Sequence, residues 1–88
     1  MIPTLLTIEK TCPACPAQWE GELSDGKVFY VRYRYGVLSI GFGETLDEAV
    51  EDRRFEWELG DGLDGWMEWE RAGDYFDRAV RAHYAGGD

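Results

Sequence analysis

Cysteine is scarce in this sequence: Cys12 and Cys15 stand three apart, and the remaining 86 of 88 residues hold no other thiol. Two thiols at that spacing do not build the disulfide framework of a small secreted protein. Histidine is scarcer, with His83 alone. A single His near the end of a helical pattern reads as a packed or C-terminal capping residue. No Ser, Cys or His forms a nucleophile–base set with the carboxylates, so no enzyme is expected. No apolar run approaches the ~20 residues of a membrane span, and no basic stretch precedes an apolar one as in a secretory signal. A cytoplasmic protein is the expectation. Cations are also short: nine Lys and Arg face eighteen Asp and Glu, for a net charge of −9. That balance argues against direct contact with nucleic acid or a membrane surface and favours basic protein partners.

What is abundant is aromatic and acidic. Four Trp, five Tyr and four Phe give a short chain enough large rings to build one small core. Residues 1–88 read as a single domain with two halves. Residues 1–43 are charge-neutral and read as the sheet half. Residues 44–88 read as the helical half and carry the acidic block. The block is dense: between Glu44 and Glu70 eleven carboxylates face only Arg53 and Arg54.

In the first half the apolar pattern alternates. Residues 4–9 read as a short strand, broken by Cys12-Pro-Ala-Cys-Pro16. Residues 17–23, 27–35 and 37–42 read as three strands of an antiparallel meander. Ser24-Asp25-Gly26 fits a three-residue hairpin loop with Gly26 in the left-handed position. Tyr35-Gly36 fits a two-residue turn. The first loop sets Trp19 against Val31 and Gly21 against Phe29. The second sets Phe29 against Phe42 and Tyr33 against Leu38. Both turns put Trp19, Leu23, Phe29, Val31, Tyr33, Leu38, Ile40 and Phe42 on one face, as a real sheet requires. The fold class is α+β: a three- to four-stranded antiparallel β-meander packed against two C-terminal helices.

Thr45-Leu-Asp-Glu48 is a capping box, and a helix is predicted from about Leu46 to Leu59. On a wheel, Leu46, Ala49, Val50 and Trp57 form a stripe to pack on the apolar sheet face, with Arg53 in the same stripe. Asp47, Glu48, Glu51, Asp52 and Glu58 lie opposite, with Phe55 among them. Like charges at 47/51, 48/52 and 52/56 cost a helix about 0.2–0.5 kcal/mol each, which suggests that something besides helix stability maintains the face. An aromatic ringed by charge has the anatomy of an interface hot spot, unless the second helix covers Phe55. Gly60-Asp-Gly-Leu-Asp-Gly65 reads as a loop. A second helix ends near Tyr84 and starts near either Asp64 or Asp74. Trp66, Trp69, Gly73, Phe76, Val80 and His83 are spaced three and four apart.

Carboxylates on successive helical turns repeat every ~5.4 Å, on the scale of the charges along a nucleic acid strand. Such an array suits a groove built for phosphates. In size and acidity, through residues 44–70, the chain resembles the small acidic phage proteins that block restriction or CRISPR effectors. That resemblance implies a DNA-mimic inhibitor acting on a nucleic-acid-binding protein. The residues expected to meet the partner are Glu44, Asp47, Glu48, Glu51, Asp52, Phe55, Glu58, Asp61 and Asp64.

Other features compete. Cys12 and Cys15 form half of a zinc site. Completing it needs His83 and a carboxylate, or a second copy; a redox dithiol is a further alternative. Either makes the chain a small zinc or redox accessory protein. Without metal, the pair is a proline-stiffened turn and no cofactor is needed. Tyr30, Arg32 and Arg34 interleave bases with aromatics, but Glu20 and Glu22 stand beside them, and cross-strand charge pairing is the expected arrangement. The 60–65 loop lacks the spacing of a calcium loop. A subunit of a larger assembly is a third reading.

Overall fold

The computed structural model describes residues 3–12, 17–52, 54–60 and 67–85, with the backbone alone for residues 11 and 12. In chain order the elements are β1 (Leu5–Cys12), β2 (Ala17–Leu23), β3 (Val28–Arg34), β4 (Val37–Gly43), α1 (Leu46–Glu51), β5 (Phe55–Glu58) and α2 (Trp69–Ala85). The strands form one antiparallel sheet in the order β1-β2-β3-β4-β5, a meander in which each strand pairs with its sequence neighbour. The fold is α+β, a meander packed against helices. It has one strand more than the sequence pattern suggested.

The two turns set the register as expected. Gly26 has φ 90° and closes the β2–β3 loop with its N–H on the Leu23 carbonyl. Tyr35 and Gly36, at φ 56° and 75°, make the left-handed pair of a two-residue hairpin. Trp19 lies opposite Val31, Phe29 opposite Phe42 and Tyr33 opposite Leu38. All eight residues assigned to the apolar face are buried. Each such side chain removed from water is worth about 1.5–3 kcal/mol.

The cover on this inner face is α2, which starts at Trp69, between the two expected starts. Trp69, Phe76 and His83 recur every seven residues and so share one helix face. Trp69 meets Trp19 at 5.4 Å between ring centroids, Phe76 meets Phe29 at 4.6 Å, and His83 stacks on Phe42 at 4.7 Å.

The first helix differs from the expectation in length and in place. It ends at Glu51, and residues 55–58 form a strand. The sequence Phe55-Glu-Trp57-Glu-Leu59 alternates with period two. As a strand it sends Phe55 and Trp57 inward and Glu56 and Glu58 outward, whereas a helix strands Phe55 and Leu59 on the acidic side. The like-charged pairs at 48/52 and 52/56 are thereby avoided as helix pairs. Leu59 and Gly60 then donate to the Gly36 carbonyl, tying the end of β5 to the β3–β4 turn. Arg53 lies outside the described residues.

Nor does α1 pack on the apolar face. It lies on the opposite, outer face, over Gly41 and Gly43. A Cβ on Gly41 would stand 2.1 Å from the Ala49 carbonyl oxygen and 2.3 Å from that of Asp52. Only glycine lets the helix backbone rest on β4, and Ala49 is fully buried there.

Candidate functional site

The outer face is where the carboxylates gather. Half of the capping box forms: Thr45 Oγ1 accepts from the Glu48 N–H at 3.3 Å, while Glu48 Oε1 reaches one residue past the N-cap and accepts from the Glu44 N–H at 3.2 Å. This fixes α1 with Glu44, Asp47, Glu48 and Glu51 exposed. Glu44 pairs with Lys27. Glu56 and Glu58 extend the same face from β5, and Glu20 and Glu22 from β2, with Glu9 of β1 directly opposite Glu20. Among the described residues none of Glu9, Glu20, Glu22, Asp47, Glu51, Glu56 and Glu58 has an ion-pair partner. The sheet's share was missed by the sequence reading. Alternation puts Glu20 and Glu22 outward, but the apolar stripe of α1 points that helix to the other face, so the sequence does not join the two sets of acids.

Two expected members leave this surface. Phe55 is half-buried on the inner face, edge-on to Phe42 at 6.0 Å and to His83 at 6.3 Å. Its ring belongs to the core margin, covered in part by α2, and not to the centre of an acid patch. Asp52 turns its carboxylate back into the fold. Oδ2 accepts from the Phe42 N–H at 3.0 Å, and Arg54 Nε donates to Oδ1 at 3.0 Å. Burial raises the Asp52 carboxyl's pKa, but the Arg54 and Phe42 hydrogen bonds outweigh it and hold the group below the usual carboxylate range. Asp61 and Asp64 lie outside the described residues.

Arg54 also reaches His83, with Nη2 2.9 Å from Nδ1. Burial first, and the Arg54 charge second, lower the His83 pKa. A neutral ring is what an arginine donor requires.

Cys12 ends β1 opposite Gln18. Its side chain and Cys15 lie outside the described residues. His83 packs on Phe42 of β4, three strands from β1, or about 14 Å at the usual strand spacing. The cysteine side chains that a zinc site would need lie outside the described residues, so the pairing of His83 with them is not described. Among the described residues no three metal-ligating side chains converge.

The expected cross-strand pairing of Arg32 and Arg34 with Glu20 and Glu22 is not made. Arg34 lies over the Tyr35 ring, 4.6 Å from its centroid, and donates to its hydroxyl at 2.7 Å. Arg32 is half-buried and faces a cleft of about 280 Å³ on the outer face. Tyr30 donates to Gln18 at its side. Across the cleft stands Glu56, which accepts from Ser39 Oγ at 3.2 Å.

No helix among the described residues is long and apolar enough to cross a membrane. No protein-family model, no curated protein and no solved structure matches the chain.

Proposed function

We propose that the chain is a small, non-enzymatic binding protein. Its acidic outer face docks on a basic surface of a nucleic-acid-binding protein and thereby competes with the nucleic acid, as a DNA mimic of the phage anti-defence kind would. One observation supports this most. The fold divides the acids by face. On the outer side, α1, β2 and β5 present carboxylates that lack counter-ions among the described residues, and they outnumber Lys27, Arg32 and Arg34 of the same side. On the other side, α2 mixes Glu70, Asp74 and Asp77 with Arg71, Arg78 and Arg81, and Arg81 pairs with Asp77 at 2.9 Å. A surface selected for solubility alone mixes signs, as α2 does. A face on which acids outnumber bases attracts a basic partner and speeds its approach.

The docking residues are then Asp47, Glu48, Glu51, Glu56 and Glu58, with Glu44 at the margin. The test uses a variant with Asp47, Glu51 and Glu58 changed to Lys. Asp52 and Glu48 are spared because both hold backbone N–H groups. Proteins retained by the chain at about 50 mM salt should be nucleic-acid-binding proteins released by about 500 mM, over which range screening lengths shrink severalfold. The triple variant should retain none of them while keeping its fold. Retention that survives either change would refute the reading.

A further inference from the structure

We propose that the cleft beside α1 binds a short zwitterion, a molecule of dipeptide size with a free ammonium, a free carboxylate and an apolar body. Arg32, Ser39 and Glu56 lie in one cross-strand row on β3, β4 and β5. Two strand spacings separate the bases of the cation and the anion by about 9.5 Å. Ser39 and Gly41 between them are too small to fill the gap, so it stays open as a cleft. Arg32 has no hydrogen bond or ion pair from its side chain among the described residues, and Glu56 accepts only from Ser39.

A half-buried guanidinium without a counter-ion calls for a planar oxyanion, which it holds through paired N–H groups. The opposite wall calls for a cation. An extended dipeptide spans about 7 Å, so the two side chains need only lean inward to meet its ends. Val37 and Val50 supply apolar contact, the Arg34–Tyr35 pair lines the cleft, and the Asp52 carboxylate that also lines it is already held by Arg54 and the Phe42 N–H. At about 280 Å³ the cleft is just below the ~300–1,000 Å³ of sites for drug-sized ligands. Net charge selects further. A chain of −9 repels anions at long range, whereas a zwitterion reaches Arg32 without that penalty.

The experiment is a titration of the isotope-labelled chain, followed by amide NMR, with valyl-leucine, its N-acetylated form and its C-terminal amide. Unmodified valyl-leucine should shift the amides of Ser39, Gly41 and Glu56. Blocking either end should weaken binding at least about tenfold. Arg32→Gln should remove the penalty for amidation alone, and Glu56→Gln the penalty for acetylation alone. That crossed pattern does not arise from a general loss of fold. Should a variant fail to fold, the blocked peptides on the unaltered chain still decide. No shift up to about 10 mM, shifts confined to other faces, or equal binding of the acetylated or amidated peptide would overturn the proposal.

Discussion

His83 sits where three elements meet: stacked on Phe42 of β4, edge-on to Phe55 of β5, and under the Arg54 guanidinium. Its pKa in the fold is lowered, burial being the larger cause and Arg54 the second. The unfolded chain therefore binds a proton at higher pH than the folded one. The stability this ring contributes is complete above the ordinary His value of about 6.5 and is lost as pH falls below it. Acidification also reduces the repulsion within the acid face, which acts the other way. The comparison that isolates His83 is therefore wild type against His83→Gln. The urea midpoints of the two should converge between about pH 7 and pH 5, with wild type losing its advantage on the acid side. Parallel midpoints across that range would remove His83 from the pH response. The sequence shows a packed His83 on the apolar spacing of α2, but not that Phe42, Phe55 and Arg54 are its neighbours.

At the scale of elements, the instructive segment is α1 and β5. The like-charged spacings at 48/52 and 52/56 were legible, and they suggested a helix kept unstable for a purpose. The simpler outcome is that the helix ends. The same repulsion, added to the alternation from Phe55 to Leu59, favours a strand, and Asp52 marks the change with ψ 120° and an N–H on the Glu48 carbonyl. Periodicity is ambiguous over so few residues, because a wheel accepts any four apolar positions that fall within a stripe. The register of β2, β3 and β4 was readable to the residue because two turns checked each other. The face on which α1 lies was not, since it depends on glycines whose role is to leave room. Gly41→Ala places a methyl against the Ala49 and Asp52 carbonyls. It should cost about 1–3 kcal/mol and expose the α1 amides to hydrogen exchange. Ser39→Ala, on the same strand face, should cost about 1 kcal/mol or less. Equal losses from both would mean that α1 is not seated on Gly41.

For the whole molecule, most of the described carboxylates without a counter-ion stand on one side. The charge total and its confinement to Glu44–Glu70 could be read from composition. That β2 and β1 add Glu20, Glu22 and Glu9 to the same side could not, because this depends on which face of the sheet α1 takes. Crowding carboxylates on one surface stores repulsion that salt relieves. The urea midpoint should rise between about 10 mM and 0.5 M sodium chloride. A variant with Asp47, Glu51 and Glu58 changed to Gln should start higher and respond less. A midpoint indifferent to salt would mean that the face carries little strain, and its charge pattern would then need no partner to account for it.

The meander also dictates a schedule. Spatial order in the sheet is the order of synthesis, so each emerging strand meets a template already in place, and no pairing waits on a distant segment. The cover does wait. The side chains of Phe29, Val31 and Tyr33 face water on the growing chain until residues 69–85 have been made. During that interval the nascent sheet is half of a core, and its open side is the one free of the acidic block. The window for misassembly lies between the fifth strand and the final helix, and a ribosome that stalled there would leave its most adhesive product exposed.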